Sequence, residues 1–115
     1  MGDLDIITRI RIEHAQAVEG VFTNHVGDII TLAEKMSAAV KSNRKLLFCG
    51  NGGSACDAMH IAGEFVGRFV HDRKALPALA LTSDSGIITA VANDYSYDDI
   101  FSRQIEALAQ AGDIL

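Results

Sequence analysis

Two groups of residues in this 115-residue chain have the types and spacing that chemistry needs. The first is Gly50-Asn51-Gly52-Gly53-Ser54. Glycines let a backbone turn with positive φ and approach a ligand closely. Where such a run opens a helix, the free N–H groups and partial positive charge of the helix N-terminus bind anions, each interaction contributing roughly 0.3–1 kcal/mol. Ser54 adds a hydroxyl, and the Asn51 amide suits a hydroxylated ligand such as a sugar. The bland alternative is a tight strand-to-helix connection with no ligand. Two nucleotide-binding readings fail on spacing. Gly50-x-Gly52-x-x-Ala55 formally matches the dinucleotide pattern, but the acid that follows the next strand, Asp84, lies 32 residues beyond Gly52 rather than about 20. No Gly-Lys-Ser/Thr follows the glycines, which excludes a P-loop.

The second group is Asp57, His60, Glu64 and Arg68, spaced by three and four residues. On a helix they form one stripe beside an apolar arc of Ile61, Ala62, Phe65, Val66 and Phe69. His60 and Glu64, four apart, point the same way and can jointly hold a divalent metal. A carboxylate at that core boundary can also move a proton as a general base. The ordinary reading is a solvated face carrying the i,i+4 pairs His60/Glu64 and Glu64/Arg68. Cys49 and Cys56 have neither a zinc spacing nor a disulfide framework and read as two reduced thiols, which suits the cytoplasm.

These groups need elements to position them. Residues 4–24 and 26–42 carry apolar side chains at helical spacing, Ile6, Ile10, Val18 and Val21 in the first and Ile29, Ala33, Met36 and Val40 in the second. Both helices have more apolar surface than one neighbour covers, which points to a helix-mediated oligomer. The period then changes. Lys45–Cys49 reads as a buried strand of a parallel sheet. Ser54 caps a helix running to Val70. Pro77–Leu81 reads as a second strand, Asp84 or Ser85 opens a helix to Ala92, Asn93-Asp94 is a break, Asp98 caps a helix through Ala109, and Asp113–Leu115 begins a third strand. The order implies an α/β fold, a parallel sheet flanked by helices with two helices before it. Residues 1–42 form the N-terminal, oligomerising helices and 43–115 the first part of the ligand-binding domain. Three strands do not make a sheet covered on both faces, so the expectation is that the chain stops partway through a larger domain or is completed by another chain.

Composition narrows the function. At 49% hydrophobic, 22% charged and a net charge of −5, the chain is an ordinary folded domain. The acidic balance argues against nucleic-acid binding. No apolar run reaches the ~18–20 residues of a membrane span. Met1-Gly2-Asp3-Leu4-Asp5 has no basic region of a secretory signal.

The run from Cys49 to Phe65, CGNGGSACDAMHIAGEF, strongly resembles the phosphoheptose isomerases of the sugar isomerase (SIS) fold. Ala92-Asn93-Asp94-Tyr95 and Asp99–Gln104 are similar to the same family, and the likeness extends over the whole chain. It implies conversion of sedoheptulose 7-phosphate to D-glycero-D-manno-heptose 7-phosphate, an aldose–ketose isomerisation that opens the bacterial heptose route to lipopolysaccharide. It implies homotetramers with active sites at subunit interfaces, and zinc in some members. Residue by residue, Asn51, Gly52 and Gly53 match substrate contacts with Ser54 beside them. Glu64 matches the catalytic acid/base, His60 and Glu64 match metal ligands, and Asn93 and Asp94 match a further substrate-contacting pair. The family continues past Leu115 into a Ser/Thr-rich phosphate loop and a later Gln and His that complete its site. A second reading is the non-catalytic SIS relative that binds the replication initiator protein; it lacks the Glu at position 64, which this chain retains. A third is a sugar-phosphate-sensing module.

Overall fold

The computed structural model describes residues 2–115, which divide into two compact units, 2–35 and Met36–Leu115. The first unit is helical: α1 spans Asp3–Asn24 and most of α2 (Val26–Lys41) follows. Asp3 and Asp5 in the first turn of α1 complement the helix dipole. No residue of α1 is buried; Leu4, Ile7, Ile10 and Phe22 are all more than half exposed. Among the described residues no helix is long and apolar enough to cross a membrane.

In the second unit the chain leaves α2 and enters β1 (Leu46–Phe48), whose Leu46 and Leu47 are almost fully buried. β1 runs parallel to β2 (Ala78–Ala80) in the register Leu46↔Ala78, Leu47↔Leu79, Phe48↔Ala80. On its other side Ile114 forms a parallel bridge to Leu46, with Leu47 N–H donating to Ile114 O at 2.7 Å. β1 is therefore the central strand, and Ile114 marks the third strand that the sequence leads one to expect. Burial on both sides explains why β1 reads as an unbroken apolar run.

Helix α3 (Gly53–Val66) connects β1 to β2. Its buried residues are Ala58 and Ala62, which pack with Ala80, while Phe48 and Ala78 flank this cluster. Small side chains on both surfaces let the helix lie close to the sheet. The core face is thus narrower than the apolar arc expected from periodicity. Ala62 lies in it and Phe65 stacks on Phe48 at 5.9 Å, but Ile61, Val66 and Phe69 are exposed. Two strands are too narrow a surface to cover the rest.

Beyond β2, Asp84 caps α4 (Ser85–Asp94) by accepting from Ile87 N–H at 2.9 Å. Asn93 and Asp94 end this helix rather than follow it. A 3-10 turn over Tyr97–Asp99, capped by the Ser96 hydroxyl, leads to buried Ile100 and then to α5 (Ser102–Leu108). The helix expected from an Asp98 cap is therefore split, because Ile100 must reach the core. Gln104 is the buried polar residue of α5; its Nε2 donates to Leu81 O (2.9 Å) and Ile100 O (2.8 Å), tying α5 to the end of β2.

Candidate active site

The glycine loop lies at the C-terminal end of β1, the edge where parallel α/β sheets bind ligands. Gly52, not Ser54, is the N-cap of α3, with φ +58°. That backbone is open to glycine and strained for other residues. Ser54 N–H turns back to Asn51 O (3.1 Å) and Ala55 N–H to Gly52 O (3.1 Å), so the first helical turn satisfies those two donors itself. Among the described residues no acceptor meets the N–H of Gly52 or Gly53. A Cβ on either glycine would stand in open space. Gly50 answers a different demand: a Cβ there would lie 2.8 Å from the Ser54 backbone.

Two ties brace this edge. Thr82 Oγ1, just past β2, donates to Ala55 O at 3.3 Å. Tyr97 Oη donates to Asn51 Oδ1 at 2.9 Å, across 46 residues. Asn93 Nδ2 donates to Asp94 Oδ1 at 2.9 Å, so the Asn93-Asp94 pair is engaged with itself three residues before the tyrosine that reaches the loop. No local signal marks Tyr97, since its partner is distant in sequence.

His60 and Glu64 are brought together as their spacing requires. His60 Nε2 donates to Glu64 Oε1 at 3.0 Å, with the His side chain 74% exposed and the Glu side chain 35%. Both line a cavity of about 530 Å³ whose wall is largely apolar, formed by Ile61, Phe65, Phe69 and Leu76 with Arg73 at its edge. Asp57 is exposed one turn earlier. Arg68 does not pair with Glu64, because α3 ends at Val66, where Gly67 caps it by donating to Gly63 O at 2.8 Å. The cation at this helix end is Arg73, which the periodicity gives no means of finding. Its Nη2 donates to Glu64 O (2.8 Å) and its Nη1 to Phe65 O (2.9 Å), Gly67 O (3.3 Å) and Lys74 O (3.1 Å).

The loop and the His–Glu pair occupy different stretches of one helix. Glu64 is eleven residues past Gly53, about 16 Å along the axis at 1.5 Å per residue. Side chains lean back toward the helix N-terminus and shorten that span. A ligand touching both is elongated and lies along α3.

This arrangement has known relatives. The model of the SIS domain family matches residues 12–115, and the chain belongs to that family. It is 50% identical over 111 residues to the phosphoheptose isomerase of Nitratidesulfovibrio vulgaris (strain Hildenborough), a match covering 93% of this chain and 53% of the relative. It is 55% identical over 92 residues to the phosphoheptose isomerase of Synechocystis sp., covering 80% and 47%. Among solved structures it superposes on phosphoheptose isomerase GmhA from Neisseria gonorrhoeae with TM-score 0.88 at 37% identity, covering 96% of this chain and 56% of that one. For the phosphoheptose isomerase from Francisella tularensis the TM-score is 0.93 at 34% identity, covering 98% and 59%. The chain spans about half the length of the curated relatives it matches.

Proposed function

We propose that the protein is an aldose–ketose isomerase that converts sedoheptulose 7-phosphate to D-glycero-D-manno-heptose 7-phosphate in bacterial heptose biosynthesis. The observation that carries the reading is Glu64, half-buried on an apolar cavity wall, on the helix that begins at the glycine loop. The separation of loop and carboxylate favours an open-chain substrate that lies along α3, with its reacting carbons at Glu64 and its oxygens at the loop. The chain's relatives carry the isomerase name, and nothing found supports the initiator-binding alternative.

In this mechanism the ketose carbonyl is at carbon 2. The Glu64 carboxylate takes a proton from carbon 1, the electron pair forms the carbon–carbon double bond of an enediol, and the carbonyl oxygen takes a proton from water, which is given back when the carbon 1 hydroxyl later loses its own. Glu64 then returns its proton to carbon 2 while the hydroxyl on carbon 1 loses its own and becomes the aldehyde. One base on one face serves both transfers. Asn51, Gly52, Gly53 and Ser54 bind and orient the substrate, with Asn93 and Asp94 at the neighbouring helix end. Without a metal between them, His60 orients the Glu64 carboxylate through their hydrogen bond.

Zinc belongs to this proposal as one ion per subunit. His60 and Glu64 are a nitrogen and an oxygen donor of the kinds zinc takes and would hold it as two of its ligands, the ion replacing the proton that lies between them in this structure. Among the described residues no cluster of three His, Cys, Asp or Glu forms, so the remaining ligands come from outside this set. Bound there, zinc would polarise the substrate oxygens as a Lewis acid. Homotetramer assembly through the exposed apolar faces of α1 and α2, with sites at subunit interfaces, and a cytoplasmic location consistent with free Cys49 and Cys56 complete the reading.

Glu64→Gln tests it in the protein as its cell makes it. The amide keeps shape and hydrogen bonding but accepts no proton, so turnover of sedoheptulose 7-phosphate falls at least ~100-fold while substrate still binds. Near-normal turnover would leave Glu64 a surface partner of His60 and remove the proposed base.

A further inference from the structure

We infer that Tyr97 is a positioning residue that orients the Asn51 amide, so that the glycine loop offers its substrate N–H donors and selects acceptor oxygens. The inference rests on the loop being the substrate cradle. A primary amide carries an acceptor on one side and two donors on the other, and rotation exchanges them. Left free on an exposed loop, Asn51 would present either side. The contact with Tyr97 holds one orientation: the tyrosine hydroxyl donates to Oδ1 at 2.9 Å, which leaves Nδ2 as the unengaged end.

The tyrosine is itself held. It opens the 3-10 turn Tyr97–Asp99, whose Asp98 N–H donates to Ser96 Oγ at 3.1 Å, and the turn runs directly into Ile100, 3% exposed. The hydroxyl is thus delivered from a turn anchored in the core. The next two residues, Gly52 and Gly53, carry N–H groups that no acceptor meets among the described residues. These and Nδ2 are all donors. Together they suit the phosphate, hydroxyl or carbonyl oxygens of a sugar phosphate. An amide turned the other way would offer an acceptor in place of a donor.

The test is a double-mutant cycle on KM and kcat for sedoheptulose 7-phosphate, in the protein as its cell makes it. Tyr97→Phe deletes one exposed oxygen and keeps the ring. It should raise KM roughly three- to ten-fold, the worth of one solvent-accessible hydrogen bond, with kcat nearly unchanged. In an Asn51→Ala background the same change should add nothing, since there is no amide left to orient. Asn51→Asp, which keeps an acceptor for Tyr97 but turns the donor end into an oxygen, should bind worse than Asn51→Ala. An unchanged KM in Tyr97→Phe beside a raised KM in Asn51→Ala overturns the role of Tyr97 and leaves the cradle standing. Multiplying effects in the double variant, a loss confined to kcat, or Asn51→Asp binding better than Asn51→Ala also overturns it. If Asn51→Ala leaves KM unaltered, the cradle reading fails and the inference falls with it.

Discussion

Of three glycines within four positions, two meet different physical demands and one meets none. Gly50 is required by packing, because the first turn of α3 leaves no room for a Cβ. Gly52 is required by backbone conformation, its φ of +58° being unfavourable to any other residue. Gly53 has neither constraint: it lies in ordinary helix with open space where a Cβ would stand. A side chain at Gly52 therefore disturbs fold and access together, and Gly53→Ala separates them. Replacing a helical glycine with alanine should hold or raise stability by up to about 1 kcal/mol. If substrate backbone approach occurs at the loop, the added methyl should weaken binding of sedoheptulose 7-phosphate at least ~10-fold, about 1.4 kcal/mol. Calorimetry with thermal melts on the same samples decides it; unchanged affinity places the ligand elsewhere.

At the scale of elements, α3 has no basic residue in its last turn, and the charge that complements its C-terminal dipole comes from Arg73, nine residues past Glu64. Four carbonyls converge on one guanidinium, a geometry that an ammonium does not reproduce. Arg73→Met should cost about 1 kcal/mol, since the group is exposed, and Arg73→Lys should recover only part of the loss in a urea titration. Equal stability of Arg73→Met and the parent would mean that water serves those carbonyls as well.

The third strand is tied to β1 by a similar node. Asp113 Oδ1 accepts from Lys45 N–H (2.9 Å), and its Oδ2 accepts from Lys45 Nζ and from Gln110 N–H (2.7 Å). These bonds, the Lys45 ammonium first among them, hold the Asp113 carboxyl down to about 2 from 3.8 against the opposing effect of desolvation. A carboxyl pKa lower in the folded state means that the stabilisation is complete above the unfolded value of 3.8 and disappears as pH falls through about 2. Asp113→Asn should therefore lower the melting temperature at neutral pH and flatten its decline between pH 4 and pH 2. An acid limb identical to the parent's would assign that decline to other carboxyls.

For the whole molecule, α1 is the informative part. A 22-residue helix with no buried residue and with Leu4 76% exposed has no reason to hold its apolar stripe in water. Exposed stripes of this extent mark helix-to-helix association, and the proposed tetramer covers them. Sedimentation of the natural protein should give a tetramer at micromolar concentration, and replacing Ile7, Ile10 and Phe22 together with serine should shift it toward smaller species. A clean monomer in the parent would leave the stripe without an occupant of this kind.

The sequence by itself determined what repeats at short range. The change of hydrophobic period at Lys45 marked β1, the glycines marked a turn, and the four-residue interval put His60 beside Glu64, because each of these depends only on local geometry. The long, family-specific run from Cys49 to Phe65 carried the fold and the proposed class of chemistry. Tertiary structure alone decided the rest. It ended α3 at Val66, so that Arg68 lost its expected partner and Arg73 took over the helix end. It narrowed the core face to Ala58 and Ala62, because a narrow sheet covers only what touches it. It joined Tyr97 to Asn51 and Lys45 to Asp113, pairs 46 and 68 residues apart. Periodicity is a property of neighbours on one element; a contact between elements depends on how the chain returns, and no local pattern encodes that.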